Sequence, residues 1–303
     1  VRTQREEDQN EIRSLQDHDP LTGLYNQNTF KRKAERILRI SEPEDIYAFV
    51  CADMSGFSYI NENFGYEEGD QVLRSIAEYL QRIPNVILAS RRYADLFLMM
   101  VKTESKDHCI EEAIIRSREL RRNMKKKYPN GNLYESTGIY FWNRENCDIE
   151  EFIENANIAR KEAKRDQEFW LKVYTDTMKE ERNRERIIAA SFYPALGNQE
   201  FDVYLQPKFL LDEWRIYGAE ALVRWRRLDG RYHNPNDFIP VLEKLGYIND
   251  LDFYVFEEAV KYLKKWNDDG KKPLIISTNF SGQHFKDPVS YTHLRAHETS
   301  LHL

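Results

Sequence analysis

Four side chains in the last third of the chain have the chemistry to hold a cation and a phosphate together. Glu220 and Arg224 lie within the apolar, β-rich run Tyr217-Gly218-Ala219-Glu220-Ala221-Leu222-Val223-Arg224-Trp225. Gln206 lies upstream in Tyr204-Leu205-Gln206-Pro207, and Asn279 near the end of the apolar run Leu274 to Phe280. A carboxylate in such a run is costly to bury unless it is paired or holds a cation. Carboxylate and amide oxygens suit a hard divalent ion, and a guanidinium suits phosphate. Taken singly, Glu220 reads as a half-exposed strand residue, Arg224 as a surface ion-pair partner and Asn279 as a turn former. In combination, the three runs predict successive strand ends presenting Gln206, Glu220 with Arg224, and Asn279.

The elements that must position them alternate. Phe201 to Gln206 reads as a strand stopped by Pro207, and Arg215 to Leu222 as a second strand. A helix from Phe238 to Leu245, opened by Asn236 or Asp237, and a longer one from Leu251 to Trp266 follow, and Leu274 to Asn279 is a third strand. Strand and helix in alternation predict an α/β barrel.

Glu220-Ala221-Leu222, with the Gln206-Pro207 segment before it and Phe238-Ile239-Pro240 and Thr278-Asn279-Phe280-Ser281 after it, resembles the EAL family over about residues 201–284. The resemblance implies the first three strands of a (β/α)8-type barrel and a phosphodiesterase that opens cyclic di-GMP to the linear dinucleotide. It implies Mg²⁺ or Mn²⁺ as cofactor, Glu220 (also catalytic) and Asn279 as metal ligands, Arg224 on a phosphate and Gln206 in the substrate cleft. The family's other acids and its lysine come later in the barrel than this sequence reaches. The expectation is therefore a parent phosphodiesterase, with this chain by itself inactive. The competing expectation is a non-catalytic receptor for cyclic di-GMP or GTP, or a dimerisation scaffold.

The first half carries its own site pattern. Asn26 is a candidate N-cap for a helix with Phe30, Ala34, Ile37 and Leu38 on one face. Ile46 to Ala52 is a continuous apolar run, read as a buried strand, that ends at Asp53. Asp70 is a candidate cap for the helix carrying Val72, Leu73, Ile76 and Leu80. Val86 to Ala89 and Leu96 to Val101 form a hairpin through the residues 91–95. An amphipathic helix ending in Lys125-Lys126-Lys127, a strand from Leu133 to Trp142 and a helix starting at Asp148 complete it.

Asp19-Pro20-Leu21-Thr22-Gly23-Leu24-Tyr25-Asn26, Ile60-Asn61, Phe64-Gly65, Gly69-Asp70, Ser136-Thr137-Gly138-Ile139 and the Ala156 to Lys164 helix make residues 17–168 resemble the GGDEF family of diguanylate cyclases. The resemblance implies a nucleotidyl-cyclase-like mixed sheet with flanking helices. Asp53 falls at its metal-ligand position, Asn61 and Asp70 at guanine-binding positions, and Lys164 and Asp95 within the same nucleotide site. Departures dominate. The signature hairpin reads Tyr93-Ala94-Asp95-Leu96-Phe97, without the two glycines that admit a triphosphate. Ser55, Ser58, Tyr66 and Glu168 replace an Asp, a Lys, a His and an Arg, and Pro84 and Ile87 stand where a product-inhibition Arg and Asp would be. Two-metal phosphoryl chemistry needs those acids, so no cyclase activity is expected. GTP remains a candidate regulator.

Residues 1–16 read as a charged linker helix, 169–196 as a helical linker, 197–288 as a truncated EAL domain, and 289–303 as a non-native adaptor-like tail. That tail holds His293, His297 and His302. The full chain of 303 residues suggests about two domains. A net charge of −6 argues against a DNA or RNA partner. Cys51, Cys109 and Cys147 have no metal-type spacing and read as buried or inert thiols in a reducing, cytoplasmic setting. A homodimeric parent, with an upstream sensor or membrane tether, is the expected context.

Overall fold

The computed structural model describes residues 17–166, 170–212, 214–227, 229–271 and 274–286. The expected helix over 1–16, Glu168, and the tail with its histidines lie outside them. The chain divides into two compact units after Lys179.

In the first unit, helix α1 (Gln27–Arg39) starts where Asn26 accepts a hydrogen bond from the Thr29 N–H. Strand β1 (Ile46–Ser55) is central, with β2 (Val86–Tyr93), β3 (Leu96–Thr103), β4 (Tyr134–Phe141) and β5 (Leu171–Val173) in the order β2-β3-β1-β4-β5. Its neighbours β3 and β4 are both antiparallel to it. Alternate β1 side chains enter two cores. Tyr47, Phe49 and Cys51 meet Phe30 and Phe152 on one face, while Ala48, Val50 and Ala52 meet Leu73, Ala77 and Cys109 on the other. Burial on both faces explains the unbroken apolar run. Burial pushes the Cys51 thiol up to about 12 and Cys109 up to about 11. Cys147, expected to be buried or inert, is exposed.

Helices α2 (Phe57–Phe64) and α3 (Tyr66–Gln81) meet at Gly65. The N-cap of α3 is Gly65, so Asp70 lies inside the helix and does not cap it. Helix α4 (Lys106–Lys127) ends in its three lysines, matching the helix dipole. Helix α5 (Ile149–Arg165) is capped by Asp148. The stretch after it is not one helical linker: Leu171–Val173 pairs in parallel with β4 before α6 (Asp176–Gly197) begins.

The β2–β3 hairpin turns at Ala94, whose φ is +46°. An alanine there bears strain that glycine would not. Ala94→Gly is expected to stabilise the first unit by about 1 kcal/mol, read as slower amide exchange across β2 and β3.

In the second unit, β6 (Phe201–Leu210) pairs antiparallel with β7 (Arg215–Trp225), and β7 pairs in parallel with β8 (Ile275–Thr278). Pro207 does not stop β6. In the described residues β6 is an edge strand, where a missing N–H breaks no ladder. Helix α7 (Pro235–Leu245) is capped by Asn234, not by Asn236 or Asp237, and α8 (Ile248–Asp268) follows. Val223 and Trp225 pack with Phe201, Phe238 and Leu242, and Ala221 packs with Val255 and Ala259 of α8.

Candidate functional site

The alternation along β7 decides what the second unit presents. Odd-numbered Ala219, Ala221 and Trp225 are buried, so Glu220 and Arg224 turn to the opposite face. Gln206 lies directly across from Glu220 on β6, and Ser277 lies level with it on β8. Glu220 and Gln206 are thus mid-strand neighbours, not residues at two strand tips. Asn279, one residue past β8, donates its Nδ2 to Glu220 Oε1 at 2.9 Å. The structure brings the acid and the amide together. Arg224 is four residues further along β7, and its Nη1 donates to the Val223 carbonyl at 2.8 Å.

Lys208 belongs to this face and was not singled out by the sequence reading. Its Nζ donates to Ser277 Oγ at 2.6 Å and lies 3.7 Å from Glu220 Oε2. Reading Pro207 as a stop hid it, because only a continuing strand places Lys208 on the Gln206 face.

The turn carrying Asn279 is tied down from α8. Asp252 Oδ2 accepts from the Ser281 N–H at 2.8 Å and faces His284 Nε2 at 3.0 Å. Burial pushes the Asp252 carboxyl up despite these partners. Ser281, in the Thr278-Asn279-Phe280-Ser281 motif, thus ties the turn after β8 to Asp252 of α8.

Glu220 and the Asn279 amide oxygen are hard donors that fit a divalent ion as part of a ligand set. Among the described residues no group of three or more His, Cys, Asp or Glu side chains could hold one.

The nucleotide-type site of the first unit has a different balance. Asp53 is buried near the end of β1, and its Oδ2 lies 2.6 Å from both Arg160 Nη1 and Lys164 Nζ. Arg160 is held from behind, donating from Nε and Nη2 to Asn157 Oδ1 at 3.1 and 2.9 Å. Asp53 Oδ1 is buried without a hydrogen-bond partner among the described residues. Asp95 Oδ2 accepts from the Met54 N–H at 3.0 Å. Burial pushes the Asp95 carboxyl up, and the Asp53 charge pushes the same way. Ser55, at the position of the lost acid, pairs its hydroxyl with Ser136 at 3.0 Å. Asn61 lies on α2 against Gly69, where any Cβ would overlap its Oδ1, and Asp70 is the next residue on α3.

The structure thus gathers Asp53, Asp95 and Lys164, and adds Arg160, which the sequence reading missed. The signal was present: Arg160 falls four residues after Ala156 and four before Lys164, on the stripe that α5 turns inward. These residues do not fit a divalent metal. One orphan carboxylate oxygen faces inward, but its twin already meets two cations, and both would repel an incoming ion.

Asp53, Asp95 and Glu135 also line a cavity of about 70 Å³ walled by Val50, Ile76 and Met99. Burial pushes the Glu135 carboxyl up, although Ser117 Oγ donates to it at 2.6 Å. With its folded pKa raised, Glu135 favours the folded state in acid, and that contribution is lost as pH rises through the raised value. Glu135→Gln is therefore expected to stabilise the first unit near neutral pH, with the gain shrinking below the ordinary glutamate range. Amide exchange at Cys51 and Ile139, both in the first unit, checks it across that window.

A five-stranded mixed sheet with flanking helices, followed by a second unit with Glu220 and Asn279 joined on one sheet face, fits a GGDEF–EAL tandem. Residues 16–168 match the family model described as diguanylate cyclase, GGDEF domain, and residues 189–302 match the EAL domain. The chain belongs to the GGDEF family and continues into an EAL domain.

An "Uncharacterized signaling protein" of Caulobacter vibrioides is 29% identical over 287 residues, covering 92% of this chain and 34% of that protein. "Cyclic di-GMP phosphodiesterase PdeR" of Escherichia coli is 26% identical over 298 residues, covering 97% of this chain and 44% of PdeR. The chain thus spans less than half the length of these curated relatives. Among solved structures, the S helix–GGDEF–EAL portion of Vibrio cholerae LapD, bound to c-di-GMP, superposes with a TM-score of 0.50 at 17% identity. That likeness covers 96% of this chain and 67% of the LapD chain and bears on the fold. EAL domains depend in general on a divalent metal. Among the described residues, no helix is long and apolar enough to cross a membrane.

Proposed function

We propose that this chain is part of a cyclic di-GMP signalling protein whose second unit begins a metal-dependent phosphodiesterase site. The first unit is then a regulatory domain without cyclase activity. The observation that carries the reading is the 2.9 Å hydrogen bond from Asn279 Nδ2 to Glu220 Oε1, which puts the carboxylate and the amide group next to one another. Glu220 and Asn279 would hold Mg²⁺ or Mn²⁺, Arg224 would take a substrate phosphate, and Gln206 would line the cleft. The bound metal supplies a more acidic water and charge stabilisation at the phosphoryl oxygens. Lys208 lies beside Glu220 Oε2, while Oε1 accepts from Asn279. GTP is the ligand to test at Asn61 and Asp70; absence of heat in calorimetry at millimolar GTP, with or without Mg²⁺, removes it. Homodimerisation and an upstream sensor belong to the same proposal for the longer protein.

The test uses the longer protein that carries this sequence. Glu220→Ala is expected to lower hydrolysis of cyclic di-GMP on the order of a hundredfold or more, and Asn279→Ala to lower it in the same direction. Binding of cyclic di-GMP without turnover in the unmodified protein would favour the receptor reading instead.

A further inference from the structure

We infer that the Arg160 guanidinium is a built-in substitute for a divalent cation at Asp53, so that the first unit neutralises this acid internally and refuses a metal ion. The inference rests on reading the first unit as a non-cyclase, and it is independent of the second unit's chemistry.

Asp53 and Arg160 are each only 8% exposed at the side chain, and their contact is 2.6 Å. Two charges buried together persist where each neutralises the other and the remaining donors are satisfied. Asn157 satisfies the back of the guanidinium, and Lys164 adds a second positive group at the same Asp53 oxygen. The neighbouring groups that could help bind a metal are already committed. Asp95 Oδ2 is engaged by the Met54 N–H, and Ser55 Oγ by Ser136. A cation arriving at Asp53 Oδ1 would find that acid already shared between two positive groups, with Asp95 engaged by the Met54 N–H and Glu135 by the Ser117 hydroxyl. Any nucleotide held by this unit is therefore held without a divalent ion. Returning glycines to positions 93 and 94 and an acid to position 96 would not restore metal binding while Arg160 remains.

The methionines make the test specific. All five, Met54, Met99, Met100, Met124 and Met178, precede the division after Lys179, so methyl-labelled methionine reports on the first unit alone. Met54 adjoins Asp53 in sequence. Titration of the full chain with excess MnCl₂ is expected to leave the Met54 methyl signal no broader than in Asp53→Asn, a comparison that cancels any Mn²⁺ held elsewhere in the chain. In Arg160→Leu the same titration should broaden that signal several-fold, and adding Asp53→Asn should return it to the unmodified width.

Broadening of Met54 in the unmodified chain that Asp53→Asn removes would overturn the inference. So would a folded Arg160→Leu chain that Mn²⁺ leaves unchanged. If Arg160→Leu does not fold, Arg160→Gln, which removes the charge and keeps a polar head near Asn157, carries the same comparison. Loss of the phosphodiesterase reading would show in the hydrolysis assay and leave these methyl signals unaffected.

Discussion

Asp53→Ala is expected to destabilise the first unit by about 3–5 kcal/mol, because it leaves the Arg160 guanidinium buried without its acid. Asn157 would still accept from Arg160, but a neutral amide oxygen does not replace a carboxylate at 2.6 Å. Lys164→Ala provides the contrast. Its side chain is 45% exposed, so its loss should cost less than about 1 kcal/mol. The two variants touch the same oxygen and differ chiefly in burial. Two compact units need not unfold together, so one melting curve would mix them. Amide exchange at Cys51 and Ile139, in the paired strands β1 and β4, isolates the first unit. Equal small losses in both variants would show that Asp53 carries no buried charge pair.

Gly138→Ala is expected to cost about 3 kcal/mol or more, through overlap that side-chain repacking cannot relieve. A Cβ built on Gly138 overlaps the Ala156 carbonyl and the Arg160 N–H of the α5 backbone. The neighbour is helix backbone, so α5 must move away from β4 as a body. That movement draws Arg160 from Asp53, and the cost should therefore fall short of additivity when combined with Asp53→Ala. The same two amides serve as the readout. A loss under about 1 kcal/mol would mean that α5 does not pack against β4 at this point.

These cases show what the sequence made legible. The β1 strand was plain because both of its faces are buried, and Asn26 was plain because a cap is a local device. The Glu220 to Asn279 pairing followed from motif order, although their separation of more than fifty residues hides the register that joins them. What escaped depended on tertiary placement. Pro207 looks like a stop until the strand is known to lie at an edge. Leu171–Val173 is too short for its pattern to show, and only β4 makes it a strand. Asp70 resembled a cap because Gly65, the N-cap of α3 four residues before Gly69, has no side chain to signal it. Arg160 was passed over because a charged residue on an otherwise apolar stripe has meaning only when its buried partner is known. Lys208 was lost with the rest of β6 beyond Pro207.

The direction of the chemistry is the claim to test most directly. The longer protein carrying this sequence should be incubated with Mg²⁺ and either cyclic di-GMP or GTP, and the products separated by chromatography. The account predicts linear dinucleotide from the first reaction and no cyclic di-GMP from the second. Cyclic di-GMP made from GTP would contradict it.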